Sequence, residues 1–599
     1  MSEYVAPLRD LKFALEELAD LEGVRALPGY EEATPDLVDA VLAEAAKVAH
    51  DVLSPLNHSG DMQGARLGEN GVETADGWKE AYQLFVDGGW NSLSFSPEWG
   101  GQGLPWLVST AVQEMYKAAN LSFDLCPLLT QAAVEAISAH GSDEQKRQYL
   151  EKLVSGQWTG TMNLTEPQAG SDLAAVKTLA TQDGDVYRIK GQKIFITYGD
   201  HDMTENIIHL VLAKVPGAPE GVKGISLFIV PKFILDDQGN PGERNDVHCV
   251  SIEKKMGIHA SPTCVLAYGD NEGAIGYLVG EENRGLEYMF TMMNLARHAV
   301  GVEGYAIAER AYQKALSYAK DRVQGRDPKT PSERVAIIAH PDVRRMLMDM
   351  KVQIEAMRGL GCIAASATDK MTHSENDIER AKGRLYVDML TPVVKGWSTE
   401  VGNELTYTGV QIHGGMGFME ATGAAQYSRD ARITTIYEGT TGIQANDIAG
   451  RKLLRDGGLL AKGMLAVMKE DIDRLVTIDS DKSRQIVAAM HSALSELGRS
   501  VDKILEMGKN DPSEAMGVSV PYLMQFGYVT GGWIMAKSFY AASQKVAEQN
   551  TDLFYADKMF SALYYIQQIL PLASSYSERV CAGGNMMVAA NNDWFDRAY

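Results

Sequence analysis

The chain has few of the features that mark secreted, membrane-spanning or metal-binding proteins. Its 599 residues include only five cysteines, which are scattered without a CxxC pair or the spacing of a metal site. Such cysteines are typical of small buried side chains in a reducing compartment. The N-terminus has no basic stretch followed by an apolar core, and no apolar run is long enough to span a bilayer. We therefore expect a cytoplasmic protein with no metal site and no membrane span.

Basic residues are scarce as well. The chain has 56 Lys and Arg residues against 79 Asp and Glu residues, a formal net charge of −23. This balance argues against a nucleic-acid or anionic-membrane partner. It does not exclude an anionic small ligand, because salt screens a distant acidic surface and leaves a local cluster of cations effective. The chain exceeds the size at which a single hydrophobic core keeps growing, so several domains are expected.

The spacing of apolar residues divides the chain into five segments. Residues 1–35 are a mixed acidic lead-in interrupted by prolines. Helical spacing follows over residues 36–158, a period of two over residues 159–279, and helical spacing again over residues 280–455 and 460–599. We predict a helical domain, a small β domain, a second helical domain and a C-terminal helical extension.

Local signals add detail to this division. Thr34 followed by Pro35 predicts the start of a helix, and residues 183–185 (DGD) predict a hairpin turn. The glycine-rich residues 96–105 follow no strand and end in proline, so they indicate a turn and not a dinucleotide-binding loop. Apolar residues at helical spacing in the extension predict a stripe that faces a core. These residues are Ile486, Met490, Leu494, Leu497, Val501 and Ile504.

One carboxylate stands out for its surroundings. Residues 433–441 read ITTIYEGTT, which places Glu438 between an apolar, β-branched run and a flexible turn. Partial removal from water raises the pKa of a carboxyl group and suits it to accepting a proton. An acid before Gly-Thr-Thr is also common at the start of a helix, so this segment alone leaves a catalytic and a structural role open.

Other segments narrow the choice. Residues 162–172 read MNLTEPQAGSD, residues 191–197 read GQKIFIT, residues 255–257 read KMG and residues 411–418 read QIHGGMGF. Together with the segment around Glu438, they resemble the signatures of the acyl-CoA dehydrogenases in order and approximate spacing. The resemblance implies the α+β fold of that family, with an N-terminal helical domain, a middle β-barrel domain and a C-terminal helical bundle. The extension would be an additional helical domain.

The resemblance also implies the chemistry. Glu438 would remove the α-proton of an acyl-CoA thioester, and FAD would accept a hydride from the β-carbon. The residues that would contact FAD are Met162, Leu164, Thr165, Phe195, Thr197, Arg322, Gln324, Gln411, Gly414, Gly415 and Thr440. The residues that would contact acyl-CoA are Ser171, Asn294, Arg297 and Gly439. Arg322, Gln324 and the loop after Gln411 would reach the FAD of a neighbouring subunit, which implies a homodimer or a larger homo-oligomer.

Three positions depart from the family pattern. Phe195 replaces the commoner Trp, which keeps an aromatic ring but removes an indole N–H donor. Gly325-Arg326 replaces the usual Phe-Gly after Arg322, and this puts an aromatic contact with the cofactor in doubt. Asn294 replaces a frequent Asp, so its contact with substrate is uncertain.

The length and the two terminal segments resemble a larger bacterial subgroup of the family. This subgroup includes enzymes of fatty-acid β-oxidation and the 3-methylmercaptopropionyl-CoA dehydrogenases. We expect medium- or long-chain fatty acyl-CoA as substrate, with 3-methylmercaptopropionyl-CoA as the alternative and an electron-transferring flavoprotein as electron acceptor. An acyl-CoA oxidase shares every motif named here. A DNA-binding flavoprotein homologue needs a basic C-terminal surface, and residues 460–599 contain no Lys/Arg block.

Overall fold

A computed structural model of the protein describes residues 4–327 and 329–597. Helices precede and follow a central set of strands, so the predicted α+β fold class is confirmed. The division into five segments by residue number stays a prediction. No helix within the two described ranges has the length and hydropathy needed to cross a membrane.

The N-terminal part is helical, with one short hairpin. Its elements are α1 (Leu8–Phe13), α2 (Leu21–Arg25), α3 (Pro35–Val48), α4 (Ser54–Gln63), β1 (Arg66–Gly68), β2 (Gly71–Glu73), α5 (Trp78–Asp87), α6 (Trp106–His140) and α7 (Asp143–Ser155). Helix α3 begins where the sequence predicts, because the Thr34 hydroxyl accepts a hydrogen bond from the Leu37 N–H. The glycine-rich residues 96–105 form a turn, as expected, with Gly100 at φ +83°. Helix α6 is buried along most of its length.

Ten strands follow. They are β3 (Thr159–Asn163), β4 (Leu179–Asp183), β5 (Val186–Thr197), β6 (Ile207–Lys214), β7 (Ile225–Pro231), β8 (Phe233–Leu235), β9 (Pro241–Arg244), β10 (Val247–Ile252), β11 (Thr263–Tyr268) and β12 (Ala274–Leu278). Strands β5, β12, β7, β6 and β4 pair in a closed ring, which makes the predicted barrel. The predicted hairpin joins β4 to β5 at residues 183–185. The second half of β5 leaves the ring and pairs with β11.

Three long helices form the next part. Its elements are α8 (Gly285–Asp321), β13 (Val323–Arg326), β14 (Arg334–Ala336), α9 (Pro341–His373), α10 (Asp377–His413), α11 (Ala424–Ala431) and α12 (Thr441–Asn446). Helices α8 and α10 approach closely at two glycines. A Cβ atom on Gly301 would lie 2.4 Å from a methyl group of Val394, and one on Gly304 would lie 2.6 Å from the Ser398 carbonyl oxygen. Only glycine fits at such a crossing, which brings polar side chains of the two helices near each other.

The C-terminal part is entirely helical. Its helices are α13 (Leu459–Arg474), α14 (Asp481–Asn510), α15 (Pro512–Gly517), α16 (Ser519–Ala547), α17 (Leu553–Tyr564), α18 (Leu572–Cys581), α19 (Asn585–Ala589) and α20 (Asn592–Asp596). The stripe predicted on α14 is buried at all six positions, so its apolar side chains pack inside the protein. Helix α1 of the lead-in contacts this part, since the rings of Phe13 and Phe554 lie 5.8 Å apart.

Candidate active site

Glu438 lies in a loop, residues 436–440, that ends at the start of α12. Its φ of +52° is in the left-handed region, which non-glycine residues seldom occupy, and Gly439 follows at φ +86°. Contacts on both sides hold this backbone. The Gln444 amide donates to the carbonyl oxygens of Glu438 (3.3 Å) and Gly439 (3.2 Å), and the Lys395 ammonium donates to the Gly439 carbonyl at 2.6 Å. The loop therefore presents Glu438 in a conformation fixed by its surroundings.

The electrostatics of Glu438 suit a general base. Removal from water raises the pKa of its carboxyl group to about 7, although the charges of Arg297 and Lys395 oppose the shift. Arg297 is buried on α8, and its Nε has no hydrogen-bond partner among the described residues. Burial lowers the pKa of Lys395 to about 8, opposed by the charge of Glu438. A carboxyl group with a pKa near neutrality can take a proton from carbon and release it again.

Two side chains near the loop were missed by the motifs. Lys395 is the sole charged residue between Asp388 and Glu400, and Glu303 is the sole charged residue between His298 and Glu309. Both are fully buried. A lone charge inside an apolar helical stretch was the available signal, because such a residue has to be paired or functional.

Several of the predicted FAD contacts come together beside the barrel. The Ile194 N–H donates to the Thr165 carbonyl at 2.9 Å, which joins the end of β3 to the second half of β5. Phe195 then adopts φ +60° and leaves 58 % of its surface exposed, while Thr197 pairs with Thr263 of β11 and is half-buried. An exposed aromatic ring on a strained backbone is expected where a flat apolar group covers it.

A buried ion pair fixes the loop that follows Thr165. The Lys193 ammonium lies 2.8 Å from the Glu166 carboxylate, which also accepts hydrogen bonds from the Thr178 hydroxyl and two backbone N–H groups. Burial raises the pKa of Glu166, but the charge of Lys193 and these bonds outweigh it and lower the pKa to about 2. The two sequence motifs are thus tied together by an ionised pair that positions Thr165 and Phe195.

The barrel side of the site contacts the helical side. Met162 and, at its edge, Leu164 belong to the apolar cluster that contains Met292 and Ala296 of α8. Ala296 precedes Arg297, which faces Glu438. On the other side, a Cβ atom on Gly257 of the KMG segment would lie 2.5 Å from the Arg429 backbone, in the helix that leads to the Glu438 loop. The structure therefore brings Met162, Leu164, Thr165 and Phe195 to the same region as Arg297.

The remaining predicted FAD contacts form a separate group. Tyr318 near the end of α8 stacks on His413 at the end of α10, with ring centroids 4.6 Å apart. This contact places Arg322, Gln324, Gln411, Gly414 and Gly415 at one exposed end of the bundle. Gln411 lies about 24 Å along α10 from Lys395, at 1.5 Å per helical residue. One chain therefore carries two groups of predicted FAD contacts that are far apart.

The other predicted site residues have varied settings. Ser171 and Asn294 are exposed. The Thr440 hydroxyl caps α12 by accepting a hydrogen bond from the Ile443 N–H at 3.2 Å, a structural role that the sequence analysis did not assign. Its oxygen keeps a proton to donate.

The two groups fit FAD in chemical terms. The exposed ring of Phe195 and the half-exposed Leu164 and Thr165 offer an apolar and hydrogen-bonding wall for a flat ring system. Gly414 and Gly415 leave open space where a side chain would be, so a ligand can approach the backbone there. Arg322 is an exposed cation of the kind that binds phosphate oxygens.

Comparisons with known proteins agree with this geometry. The chain matches the acyl-CoA dehydrogenase N-terminal domain over residues 39–157, the middle domain over 161–270 and the C-terminal domain over 283–453. Residues 464–591 match a model described as acetyl-CoA dehydrogenase C-terminal like.

Relatives match over nearly the whole length. A 3-methylmercaptopropionyl-CoA dehydrogenase of Ruegeria pomeroyi is 46 % identical over 98 % of this chain and 100 % of its own. A butyryl-CoA dehydrogenase of Syntrophomonas wolfei is 34 % identical over 95 % of each chain. The structure of an acyl-CoA dehydrogenase from Bacillus anthracis, solved with FAD, shares the fold at a TM-score of 0.74 and 21 % identity, covering 98 % of this chain and 93 % of its own.

Proposed function

We propose a function from the premise that the chain belongs to the acyl-CoA dehydrogenase family. It is an oxidoreductase that acts on acyl-CoA, and its cofactor is FAD. The reaction is the α,β-desaturation of a saturated acyl-CoA thioester to the trans-2-enoyl-CoA. The observation that carries this assignment is Glu438, whose carboxyl has a pKa of about 7 in a loop held beside two cations.

Glu438 is the catalytic base. Its carboxylate takes the α-proton of the thioester, which leaves the electrons of the broken C–H bond to form the double bond. FAD, when bound, supplies the acceptor for the hydride that leaves the β-carbon. Because Glu438 is shielded from water, its proton affinity is closer to that of the acidified α-carbon, and the transfer is less uphill.

The thioester oxygen gains negative charge as the α-proton leaves. The family resemblance assigns the backbone N–H of Glu438 as one donor to this oxygen, and a donor of this kind is worth roughly 3 kcal/mol of barrier. Glu438 has a left-handed φ, and two hydrogen bonds from the Gln444 amide hold the carbonyl groups of Glu438 and Gly439 beside that N–H. Arg297 and Lys395 place positive charge beside Glu438, which favours the negative charge that develops on the thioester oxygen.

The residues that hold FAD come from two subunits in this proposal. Met162, Leu164, Thr165, Phe195, Thr197 and Thr440 would contact it from one chain. Arg322, Gln324, Gln411, Gly414 and Gly415 would contact it from the other. The distance between the two groups within one chain supports this division, and a homodimer or larger homo-oligomer follows from it. Ser171, Asn294, Arg297 and Gly439 would contact acyl-CoA.

For the substrate, we place 3-methylmercaptopropionyl-CoA first. The 46 % identity over the full length of a relative that carries this name supports it, against 34 % for the butyryl-CoA relative. Its acyl chain has the length of a pentanoyl chain, with sulfur in place of one methylene group. Medium- or long-chain fatty acyl-CoA, the preference inferred from the sequence, is the second candidate. We propose an electron-transferring flavoprotein as the electron acceptor, as the family resemblance implies.

A substrate series tests the assignment. The rate of FAD reduction is measured without oxygen for butyryl-, pentanoyl-, octanoyl-, hexadecanoyl- and 3-methylmercaptopropionyl-CoA. We expect kcat/KM for the sulfur substrate to exceed that for pentanoyl-CoA, its length-matched control, by roughly 10-fold. A maximum at octanoyl- or hexadecanoyl-CoA would instead favour fatty-acid oxidation. If no acyl-CoA reduces the bound FAD, the proposed reaction is wrong.

A further inference from the structure

Glu303 is a buried carboxyl group next to the Glu438 loop. Its side chain lies on α8, six residues beyond Arg297, and 0 % of the residue is exposed. The Tyr437 hydroxyl donates a hydrogen bond to its Oε2, while its Oε1 has no partner among the described residues. A fully buried carboxyl group with a hydrogen-bond partner at only one of its two oxygens lowers the stability of the fold. Such a group is therefore expected to have a functional role.

The charges around Glu303 do not neutralise it. The cation that lowers its pKa is Lys117 on α6, which already forms an ion pair with Asp124 and lies 3.4 Å from the Gln113 amide oxygen. The charge of Glu303 also acts on Lys395 of α10. Burial raises the pKa of Glu303 to about 7; Lys117 and the Tyr437 bond lower it, and the charges of Asp124 and Glu438 raise it further.

The charged groups that act on Glu303, on Glu438 or on the two cations beside Glu438 come from four elements. They are Lys117 and Asp124 on α6, Arg297 on α8, Lys395 and Glu400 on α10, and Asp447 and Arg451 after α12.

The bond between Tyr437 and Glu303 also bears on backbone geometry. Tyr437 directly precedes Glu438, whose φ is strained. Lys395 and Gln444 hold the carbonyl groups after the strained residue, and Glu303 holds the side chain before it. Left-handed backbone at a non-glycine residue persists only when the surroundings determine it on both sides. On the N-terminal side, the hydrogen bond between Tyr437 and Glu303 holds the backbone.

We propose that Glu303 is a positioning residue for the base: it anchors the loop through Tyr437, and its negative charge favours transfer of the substrate α-proton to Glu438. The inference rests on the proposed role of Glu438. Two nearby carboxylates repel each other, and the repulsion ends when Glu438 accepts the proton from carbon. The interaction is reciprocal, so the charge of Glu303 raises the proton affinity of Glu438 as Glu438 raises that of Glu303.

The variants that test this are Glu303→Gln, Glu303→Asp and Tyr437→Phe. Glu309→Gln is the matched control, because Glu309 is a buried glutamate on the same helix that pairs with Arg358 at 2.9 Å. The rate of FAD reduction by saturating acyl-CoA and the KM are measured against pH. In Glu303→Gln we expect the acidic limb of the rate profile to shift down by about half to one pH unit, since a neighbouring negative charge is lost.

The same variant should reduce FAD about 3-fold more slowly on the alkaline plateau, because a less basic Glu438 is a weaker proton acceptor. KM and FAD content should stay unchanged. The pH profile of FAD reduction in Glu303→Asp should lie between those of Glu303→Gln and the wild type. Tyr437→Phe should shift the limb in the same direction by less, since the lost hydrogen bond leaves more of Glu303 protonated.

A second readout is independent of turnover. The infrared absorption of protonated carboxyl groups, titrated in the FAD-bound protein, should lose one transition near pH 7 in Glu303→Gln and keep it in Glu309→Gln. An unchanged rate profile in both Glu303→Gln and Tyr437→Phe would overturn the proposal. So would an equal shift in Glu309→Gln. If none of the acyl-CoA substrates reduces FAD in the wild-type protein, the proposed function fails. The infrared titration still decides whether Glu303 holds a proton.

Discussion

Two clusters of buried charge lie within this protein and differ in how they are paired. The loop cluster consists of Lys117, Asp124, Glu303, Tyr437 and Glu438. The Arg358 cluster consists of Asp10, Glu114, Glu309, Glu355, Arg358 and Lys558. In the Arg358 cluster, Arg358 lies 2.6 Å from Glu114 and 2.9 Å from Glu309, and Lys558 lies 2.7 Å from Asp10. In the loop cluster, Lys117 pairs with Asp124 and leaves two carboxyl groups with no ion pair among the described residues.

The pKa values follow this difference. Burial alone raises the pKa of Asp10, but the charges of Lys558 and Arg358 outweigh it and lower the pKa to about 2. At Glu303 and Glu438 the nearby cations do not outweigh the effect of burial, and the pKa of each carboxyl group rises to about 7. Glu114 departs from its own cluster, since burial raises its pKa in spite of Arg358. Pairing keeps groups ionised and serves structure, whereas incomplete pairing leaves groups that exchange protons near neutral pH.

Replacing Glu438, the proposed base, tests the function of the loop cluster most directly. Glu438→Gln keeps the shape of the side chain but cannot accept a proton, so turnover should fall by roughly 10³-fold. FAD and acyl-CoA should still bind, because neither depends on the charge of Glu438 alone. Stopped-flow reduction and the FAD absorbance of the purified protein measure both. Appreciable turnover in this variant would mean that another residue is the base.

Breaking the Arg358 cluster should affect stability and leave the chemistry unchanged. Arg358→Met leaves the buried Glu114 and Glu309 without a cation to pair with, which should lower the free energy of unfolding by about 3–5 kcal/mol. Arg147→Met is the control, because Arg147 pairs with Glu144 on the exposed face of α7, where solvent screens the pair and its loss should change stability little. Urea denaturation measures both variants. A changed pH profile of FAD reduction in Arg358→Met would show that the two clusters are coupled.

The sequence predicted what depends on local pattern. Thr34 marks the start of α3, and the stripe from Ile486 to Ile504 lies buried on α14, because capping and helical spacing are properties of neighbouring residues. The motifs indicated Glu438 and Phe195 through resemblance. The left-handed backbone of both could not be predicted from neighbouring residues. The roles of Lys395 and Glu303 could not be predicted either, because they arise where α8 crosses α10 at Gly301 and Gly304 and meets a loop far along the chain.

The same holds for the Arg358 cluster. Its members lie on α1, α6, α8, α9 and α17, so hundreds of residues separate Asp10 from Lys558. The sequence indicated a lead-in over residues 1–35 but not which charges would meet there. Partners so distant in sequence are set by tertiary packing alone.

The two clusters should respond to pH with opposite signs. Asp10 has a folded pKa of about 2, below its unfolded value, so it adds stability above pH ~4 that is lost as the pH falls through about 2. Asp10→Asn should therefore cost about 2 kcal/mol at neutral pH and little in acid. Glu303 has a folded pKa of about 7, above its unfolded value, so its stabilising proton is lost as the pH rises.

Glu303→Gln should consequently gain stability relative to the wild type above pH ~7, by about 3 kcal/mol, and show little difference near pH ~4. Urea denaturation across this pH range measures both variants. If both substitutions change the free energy of unfolding in the same direction at neutral pH, the contrast between a paired and an incompletely paired cluster is wrong.

The smallest predicted effect concerns the exposed end of the bundle, which is neither cluster. Arg322 is exposed and touches only Gln324 weakly, at 3.4 Å, within the described part of the chain. If it binds the FAD pyrophosphate of a neighbouring subunit, Arg322→Ala should weaken FAD retention about 10-fold, the value of one hydrogen bond to a charged group. It should also lower the dimer population at low protein concentration, since a ligand bound across an interface stabilises the assembly by mass action. FAD content after dialysis and analytical ultracentrifugation measure the two effects, with Arg147→Ala as the surface control. A monomer that keeps full FAD occupancy would rule out the shared site.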